Sequence, residues 1–380
     1  MVHPKVLFLT SFDSSTAKSW SGTPLNMKNA LIENGFQVEE LGKIGNFSKT
    51  LIRACSFIFK KLSSKRLDAS HSLLASLEYS IRIYFKIRGE KYDYIVAPAG
   101  SNLIAFLRTS IPIIYLSDTT FGQISTYYND FSDLTKLSLN IGNFLEKKAL
   151  NKATYISFPS DWAKDYVIQN YKISPEKVSK INWGPNSDLQ KVREPVVKKF
   201  DDTFKVLFLG VDWVRKGGGT VLSTLNLLNN EGYKVELHIC GCFPSVSVKD
   251  LSWVYCYGRL NKDIPEEKKL LEKLMHESHL MFVPSQAECY GMVFCEAAAY
   301  SIPSISTRTG GIPSIIDDGV NGYLLDKSAT EAEFFSLIEQ LLLNKTKYDE
   351  LSKAARLLYD EKCNWSVWAN TLKLKVGCND

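Results

Sequence analysis

Two glutamates eight positions apart, Glu288 and Glu296, lie in a segment whose pattern predicts a strand, a turn and a helix. The apolar residues 281–284 are typical of a strand that leads into a loop, and the Ala-rich residues 294–300 are typical of a helix. Gly291 stands between them, where the backbone must turn and can approach a ligand closely. In a doubly wound sheet, ligands bind at the carboxyl ends of the strands. Two carboxylates at that edge suit a polyhydroxyl ligand, because each can accept two hydroxyl hydrogen bonds.

The same segment resembles the retaining glycosyltransferases of family 4. Three stretches carry the resemblance: ECYGMVFCE at 288–296, SIP at 301–303, and TGGIPSIIDDGVNGYLL at 309–325. The last stretch has its Gly-Gly pair and its D-G-x-x-G motif at the spacing of the family. The resemblance implies an α/β protein with the GT-B fold, in which two Rossmann-like, doubly wound parallel-sheet domains face a central cleft. It also implies a nucleotide-sugar donor.

By the same resemblance, both glutamates contact the donor. Glu288 is expected to contact hydroxyls of the donor sugar and to act in catalysis, and Glu296 is expected to bind the ribose. Backbone amides at the turn between strand and helix are expected to face the sugar and the phosphates. These amides belong to Tyr290, Gly291, Met292 and Val293.

A second motif, FLGVDWVRKGGGT at 208–220, predicts a phosphate site. A strand ends at Gly210, a loop carries Arg215 and Lys216, and three glycines open a helix. Cations and a helix N-terminus then converge where a diphosphate can lie, and fixed cations can stabilise the departing diphosphate in place of a metal ion. The family usually has an Arg directly after the strand-end glycine, where this chain has Val211. We expect Arg215 to supply that guanidinium; the alternative is a solvated basic turn, and the order of a Walker loop is absent.

Two further glycine-containing loops follow predicted strands. The resemblance implies that Gly258 and Arg259, in YGRL at 257–260, lie against the nucleotide base, although Arg259 could instead face water. It implies that Gly22, in SGTP at 21–24, approaches the donor phosphates; the alternative is an ordinary turn at the entry of a helix. Neither half contains the G-x-G-x-x-G fingerprint of a nicotinamide dinucleotide site, which disfavours a dehydrogenase.

Asp118 follows the predicted strand 111–116 and is expected to point from its carboxyl end. Because the family often has a polar residue in this region near the sugar and the acceptor, Asp118 is the candidate for positioning the acceptor or taking its proton. The alternative is a helix or turn cap. His276 and His279 stand three positions apart on a predicted helix, without a carboxylate ligand at the spacing of an H-E-x-x-H motif, so no metal site is predicted.

Apolar runs alternating with helical patterns predict two parallel-sheet domains. The predicted strands are 5–10, 94–97, 111–116 and 155–158 in the first domain, and 205–210, 235–240, 253–257, 280–283, 304–306 and 322–325 in the second. The first domain, on the acceptor side, covers residues 1–190, and the second, which binds the nucleotide sugar, covers 203–362. A charged stretch at 188–202 is the predicted linker. By resemblance, a C-terminal helix within 363–380 packs back on the first domain.

Composition is that of a soluble globular protein: 380 residues, 45% hydrophobic and 23% charged. The start, MVHPKVLFLTSFDSS, is interpreted as a first strand rather than a signal peptide, and no apolar run predicts a membrane span. The eight cysteines are scattered without a zinc pattern and are expected to be reduced thiols. A cytoplasmic location is expected, with the inner face of the membrane as an alternative.

Charge is distributed unevenly. Residues 1–200 contain 27 Lys and Arg against 17 Asp and Glu, a net charge of +10, whereas the remainder carries −5. An anionic partner is therefore expected for the first domain. Within it, residues 48–91 are amphipathic and basic, which is typical either of a helix that lies on an anionic membrane or of a core-packing helix with solvated lysines. No nucleic acid is expected, because no aromatic-basic recognition motif accompanies the charge.

The sequence therefore predicts a retaining, metal-independent glycosyltransferase of the hexosyltransferase type. It would transfer a sugar from a UDP- or GDP-sugar to a hydroxyl of a glycan or a lipid-linked acceptor, and no cofactor is expected beyond this donor, which is a substrate. Two alternatives stay open. One is a nucleotide-sugar epimerase or hydrolase on the same fold, and the other is a degenerate transferase that acts as a partner subunit, as suggested by Val211.

Overall fold

The structure is a computed structural model that describes residues 3–16, 19–128, 131, 133–186, 195–196, 198 and 203–377. The chain divides into two compact units, which are Met1–Ile181 with Trp368–Asp380 (unit 1) and Asn182–Val367 (unit 2). The predicted domain boundary at residue 190 and most of the predicted linker 188–202 lie outside the described residues, as do the last residues of the predicted C-terminal segment, 378–380.

Unit 1 is built on a six-stranded parallel sheet in the order β2-β1-β3-β4-β5-β6. The strands are β1 (Lys5–Leu9), β2 (Gln37–Leu41), β3 (Tyr94–Pro98), β4 (Ile113–Leu116), β5 (Tyr155–Phe158) and β6 (Val178–Lys180). The helices are α1 (Thr23–Glu33), α2 (Phe47–Ser63), α3 (Leu73–Ile87), α4 (Ser101–Ile104), α5 (Phe121–Tyr127), α6 (Lys136–Lys152) and α7 (Asp161–Tyr166). The central strands are apolar on both faces, as strands covered by helices on both sides must be.

Unit 2 is built on a second six-stranded parallel sheet in the order β12-β11-β10-β7-β8-β9. The strands are β7 (Phe204–Leu209), β8 (Val235–Cys240), β9 (Val254–Gly258), β10 (Leu280–Phe282), β11 (Ser304–Thr307) and β12 (Gly322–Leu325). The helices are α8 (Gly218–Asn230), α9 (Pro265–Glu277), α10 (Met292–Ala299), α11 (Glu331–Leu343) and α12 (Lys345–Glu361). The predicted fold class, with two doubly wound parallel sheets, is confirmed.

Strand order determines where each sheet can bind a ligand. In unit 2 the chain starts in the middle at β7, proceeds to β8 and β9, and returns to the other side of β7 with β10. The order therefore reverses between β7 and β10, and the crevice outside the carboxyl ends of two such strands is where doubly wound sheets bind ligands. In unit 1 the corresponding reversal lies between β1 and β3.

A last helix, α13 (Trp365–Lys375), begins in unit 2 and continues in unit 1. Trp368, Ala369 and Leu372 on this helix are buried. At its end the Tyr94 hydroxyl, on β3, donates a 2.7 Å hydrogen bond to the carbonyl oxygen of Val376. The end of the described chain is thus tied to the sheet of unit 1.

Helix α2 begins with polar contacts to α3. Glu78, on α3, accepts hydrogen bonds from the backbone amides of Phe47 (2.9 Å) and Ser48 (2.8 Å). Partial burial alone would raise the pKa of Glu78, but these amides, the Ser48 side chain and Arg82 outweigh it and lower that pKa to about 2. The carboxylate therefore caps α2, where amides lack partners within the helix and negative charge is favoured. None of the helices in the described ranges is long and apolar enough to span a bilayer.

Candidate functional site

Two loops of unit 2 meet at the reversal point of its sheet. One connects β7 to α8 and carries Arg215 and Lys216, and the other connects β10 to α10 and carries Glu288. The backbone joins them, because the amide of Gln286 donates a 2.7 Å hydrogen bond to the carbonyl oxygen of Arg215. The amide of Gly311, after β11, donates to the carbonyl oxygen of Glu288 at 3.1 Å. The loop with Glu288 is thus held on both sides.

An ion pair lies at the centre of this arrangement. The Nζ atom of Lys216 contacts Oε2 of Glu288, and the two side chains are only 7% and 14% exposed. A buried charge is tolerated only when it is paired, so each partner fixes the position of the other. Because a carboxylate has about four lone-pair sites, Glu288 can also accept ligand hydroxyls while it holds Lys216.

Arg215 is fixed against the same loop. Its Nη1 donates a 2.8 Å hydrogen bond to the carbonyl oxygen of Ala287 and lies 3.6 Å from Oε2 of Glu288. Its Nε lies 3.6 Å from Oδ2 of Asp212, whose other oxygen accepts the Arg215 amide at 3.0 Å. The structure thus brings together the predicted residues Arg215, Lys216 and Glu288. Val211, which takes the place of the family's usual arginine, is mostly exposed.

Both helices that follow these loops begin at a left-handed glycine. Gly217 (φ 75°) precedes α8 and Gly291 (φ 101°) precedes α10, and neither N-cap residue supplies a side-chain hydrogen bond. The first amides of a helix have no acceptor within it and carry partial positive charge, which makes such ends anion-binding sites. Met292 and Val293 supply the first two amides of α10. The arrangement can therefore bind an anion with backbone amides and with lysine and arginine side chains.

Close contacts require glycine at three positions of these loops, and at Gly217 the positive φ requires it as well. A Cβ atom on Gly217 would lie 2.2 Å from the carbonyl oxygen of Pro284, and one on Gly210 would lie 2.9 Å from Cγ of Lys216. A Cβ atom on Gly311 would lie 2.2 Å from the carbonyl oxygen of Cys289. The glycines let three loops pack backbone against backbone, and this packing sets the position of Lys216 beside Glu288.

Glu296 has a partner that sequence reasoning did not find. Its Oε1 lies 2.8 Å from Nζ of Lys262 and forms an ion pair with it, and the Glu296 side chain is only 5% exposed. The same Nζ donates a 3.1 Å hydrogen bond to the carbonyl oxygen of Asn186. Lys262 lies in the loop after β9, 34 positions before Glu296, and no sequence motif links the two residues. The carboxylate thus lies on α10 with a cation beside it that can also meet a ligand phosphate or hydroxyl.

We expect Lys262→Met to destabilise unit 2 by about 2–4 kcal/mol, because it leaves the buried Glu296 carboxylate without its cation. The free energy of unfolding, from urea titration, measures this loss. Lys327→Met is the matched control, since Lys327 is exposed and its replacement should change stability by less than about 0.5 kcal/mol. Equal stabilities of the two variants would contradict a structural role for the Lys262–Glu296 pair.

Arg259 and Tyr290 are both predicted to contact the donor, but the side chain of the first lies in solvent and that of the second lies in the interior. Gly258 is buried at the end of β9 with φ 63°, but Arg259 is exposed to solvent. The side chain of Tyr290 points into the interior, where its hydroxyl accepts hydrogen bonds from the Trp183 amide (3.1 Å) and the Asn182 side chain (3.2 Å). Only the backbone amide of Tyr290 is left for the predicted role.

Gly22, in unit 1, is the N-cap of α1 and has φ 92°. It follows two left-handed residues that are not glycine, Trp20 (φ 46°) and Ser21 (φ 55°). Such a conformation costs about 1–3 kcal/mol for each residue and is concentrated at functional sites. Thr23 and Pro24 then open the helix, so the SGTP segment does form a helix entry, and its backbone is strained where a ligand-binding loop is predicted.

Asp118 lies after β4, half-buried in the loop that leads to α5. The cap of α5 is Thr120, whose Oγ1 accepts the Gln123 amide at 3.2 Å, so Asp118 is not the N-cap of this helix. The role of Asp118 stays a prediction. Among the described residues, no three His, Cys, Asp or Glu side chains are grouped as metal ligands would be.

Comparisons with known proteins agree with this geometry. The family model for "Glycosyl transferases group 1" matches residues 191–358. The capsular polysaccharide biosynthesis glycosyltransferase CapM of Staphylococcus aureus is 23% identical over 229 residues, which cover 57% of this chain and 60% of CapM. The chain spans at most 60% of the length of the first curated relatives that it matches.

Solved structures resemble nearly the whole chain. Sucrose-phosphate synthase of Thermosynechococcus elongatus superposes with a TM-score of 0.70 and 16% identity over 97% of this chain and 98% of that one. Anabaena HepE, solved in complex with UDP, gives a TM-score of 0.67 and 16% identity over 99% and 100%. The chain therefore has the GT-B fold, and its residues 191–358 match the family model of group 1 glycosyl transferases.

Proposed function

We propose that this protein is a glycosyltransferase that moves a sugar from a nucleoside-diphosphate sugar to a hydroxyl acceptor. The observation that carries the proposal is the buried Lys216–Glu288 pair between two glycine-capped helix N-termini, at the reversal point of a doubly wound sheet. An anion-binding surface beside a carboxylate matches a ligand that has phosphates at one end and hydroxyl groups at the other. A nucleotide sugar has this chemistry.

The phosphate end of the donor would bind the cationic side of the site. Lys216, Arg215 and the first amides of α10 provide positive charge that is fixed before the ligand arrives. As the glycosidic bond to phosphate breaks, negative charge grows on the diphosphate, and charge fixed in advance stabilises that transition state. This is the reason to propose transfer without a metal ion. A diphosphate that binds here would compete with Glu288 for Lys216.

The other predicted site residues would contact the remaining parts of the donor and the acceptor. Glu288 would accept hydroxyls of the sugar and Glu296 those of the ribose, with Lys262 holding the second carboxylate in place. Gly258 and Arg259 would lie at the base, and Gly22 would approach the phosphates. Asp118 would position the acceptor hydroxyl or take its proton. The complex of HepE with UDP supports a uridine nucleotide, and the name of CapM supports a glycan product.

We propose that the reaction retains the configuration of the anomeric carbon. The departing phosphate oxygen can accept the proton of an acceptor that attacks from the same face, so no side-chain nucleophile is required. Identification of the product's anomeric configuration by NMR tests this point. An inverted product would exclude it and would leave the donor-site proposal standing.

The first experiment is a thermal-shift panel of UDP- and GDP-sugars with the matching diphosphates. A donor at 100 times its dissociation constant should stabilise the folded protein by about 2.7 kcal/mol, which is a rise of several degrees in Tm. A selective shift with one nucleotide sugar supports the transferase proposal, and glycan acceptors can then be screened with that donor. Binding that yields only an isomer or free sugar would favour an epimerase or hydrolase. Absence of a shift with every donor and diphosphate would favour a degenerate partner subunit.

A further inference from the structure

Helix α2 exposes its most apolar side. Phe47, Leu51, Ile58 and Leu62 are 72%, 54%, 61% and 82% exposed. These four positions fall within about 60° of one another around the helix axis. A helix of a globular protein normally buries such a stripe, yet α2 has no buried residue over 17 positions. The stripe is therefore available to a partner outside this fold.

The side of α2 that faces the protein is largely polar. Oγ of Ser56 donates to the carbonyl oxygen of Leu67 and accepts from its amide, both at 2.9 Å. Asn46, the N-cap of α2, donates to the carbonyl oxygen of Ala75 at 2.8 Å. Together with the Glu78 cap, these bonds fix the rotation of the helix about its axis. The outward position of the apolar stripe is thus held by specific hydrogen bonds.

Helix α3 packs against α2 and exposes a second stripe. Leu74, Leu77, Ile81 and Phe85 are between 42% and 65% exposed, and their spacing places them on one side of the helix. The rest of α3 is anchored by buried residues such as Tyr79 and Ile83. Close to half of the exposed large hydrophobic side chains in the described residues lie on α2 and α3. Exposed apolar stripes on two helices that pack together mark an interaction site.

The apolar stripes lie in a strongly basic segment. Residues 47–88 contain nine Lys and Arg but only two acidic residues, Asp68 and Glu78. Both carboxylates are engaged within the protein, Asp68 with His71 at 3.0 Å and Glu78 with the amides that begin α2. Nζ of Lys61 lies 4.7 Å from the ring centre of Phe57. The apolar stripes thus lie in a segment with an excess of cations, of which Lys60 and Arg66 pair with Asp133 and Arg82 pairs with Glu78.

A cavity of about 680 Å³ adjoins the end of α3. Its lining includes Ile81 and Phe85 from the exposed stripe and three cations, of which Lys43 pairs with Asp13, Arg82 pairs with Glu78, and Lys86 is the third. It also includes Leu41, at the carboxyl end of β2. An opening with apolar and cationic walls suits an anionic headgroup whose hydrocarbon part continues along the helix.

We propose that α2 and α3 form a docking surface for an anionic lipid bilayer, with the cavity beside Phe85 as a headgroup site. Helices with apolar and basic sides lie in the membrane interface in this way, with the apolar side in the acyl boundary and the lysines at the lipid phosphates. A second copy of the chain is a poorer partner for this surface, because two such segments would bring nine cations against nine. The inference goes beyond the proposed function and does not depend on sugar transfer.

Vesicle co-sedimentation of the full chain tests the proposal. Phosphatidylcholine vesicles are compared with vesicles that contain 30% phosphatidylglycerol. We expect affinity for the anionic vesicles to be at least tenfold higher and to fall when salt is raised from about 0.1 M to 0.5 M, because the attraction between charges is screened. Free glycerol phosphate at the same lipid-phosphate concentration should not release the protein, because the apolar stripes also contribute.

Matched variants separate the apolar from the electrostatic contribution. Ile58→Ser with Leu62→Ser removes apolar side chains from α2, and Leu343→Ser with Leu357→Ser removes other well-exposed ones from unit 2. Arg53→Gln with Lys61→Gln removes two cations from α2, and Lys269→Gln with Lys327→Gln is its control. We expect each α2 pair to reduce vesicle affinity about tenfold or more, while both controls bind as the wild type does. All these side chains are exposed, so Tm should change little in every variant.

Three results would overturn the proposal. One is equal binding to neutral and anionic vesicles, and another is unchanged binding by both α2 variants. The third is a dimer, measured by analytical ultracentrifugation without lipid, that dissociates in the Ile58→Ser, Leu62→Ser variant while no vesicle binds the wild type. That result would assign the surface to a second copy of the chain.

Discussion

Replacing Glu288 with glutamine is expected to lower turnover at saturating donor by about 10²–10³-fold, in the range for the loss of one fixed charged contact in a transition state. Glutamine keeps the shape of the side chain but removes its negative charge, so the sugar hydroxyls lose a charged acceptor and Lys216 loses its counter-ion. Turnover is measured as release of nucleoside diphosphate, with the donor chosen from the thermal-shift panel. Turnover near that of the wild type would remove Glu288 from the site assignment.

The same substitution has a structural effect that must be separated from the catalytic one. Lys216 is buried, and leaving it unpaired should reduce the free energy of unfolding by about 3–5 kcal/mol. The double variant Lys216→Met, Glu288→Gln contains no buried charge at this pair, and replacing a buried ion pair with uncharged groups is often neutral in stability. We therefore expect the double variant to regain most of the stability and none of the turnover.

An exposed ion pair provides the control for the variants of Lys216 and Glu288. Lys345 and Asp349 are 2.8 Å apart on α12 with both side chains well exposed, so Asp349→Asn should cost less than about 1 kcal/mol and leave turnover unchanged.

Lys216→Met alone should weaken binding of the nucleoside diphosphate by about 10–100-fold, because it removes a charged hydrogen-bond donor. If calorimetry shows the same diphosphate affinity in this variant, the phosphate site lies elsewhere.

The sequence predicted the central strands well because their apolar runs are buried on both faces. It missed β2 (Gln37–Leu41) and β6 (Val178–Lys180), which lie at the two edges of the sheet in unit 1. The sequence of β2 is QVEEL and none of its residues is buried, while β6 has only three residues. Edge strands are defined by backbone pairing to a neighbour, as between Val38 and Val6, and this leaves little trace in apolar periodicity.

Within the site, the sequence predicted which residues lie at strand ends but not how they pair. Arg215, Lys216 and Glu288 follow recognisable strands, so their common edge could be predicted from the topology of a parallel sheet. The partner of Glu296 could not, because Lys262 reaches it from the loop after β9. The direction of the Tyr290 side chain also depends on tertiary packing, here against Trp183.

The uneven distribution of charge along the chain follows from the sequence, but the structure is needed to show where these cations lie on the protein. The excess of cations in residues 1–200 includes the nine in residues 47–88, next to side chains that a helical pattern alone would assign to the core. Only the exposure of Phe47, Leu51, Ile58 and Leu62 in the structure shows that α2 is turned with its apolar stripe outwards. Periodicity defines the faces of a helix, whereas the capping contacts decide which face the protein buries.

Substitution of Gly217, the first glycine of the run that opens α8, has the second large expected effect. Gly217→Ala should destabilise unit 2 by about 3 kcal/mol or more, since a left-handed φ is strained for alanine and its Cβ would lie 2.2 Å from the carbonyl oxygen of Pro284. To relieve the overlap, the loop that carries Lys216 must move away from the loop that carries Glu288. Affinity for the nucleoside diphosphate should therefore fall as well. Hydrogen exchange of peptides from β7–α8 and β10–α10, with calorimetry, measures both effects.

Gly219→Ala is the matched control two positions along the same run. A Cβ atom there would meet no atom within 4 Å, and the residue lies inside α8, where alanine is favoured over glycine by up to about 1 kcal/mol. The two substitutions add the same methyl group, yet we expect opposite signs for their effects on stability. If Gly217→Ala were as stable as Gly219→Ala, the close packing of the two loops would not be what positions Lys216 beside Glu288.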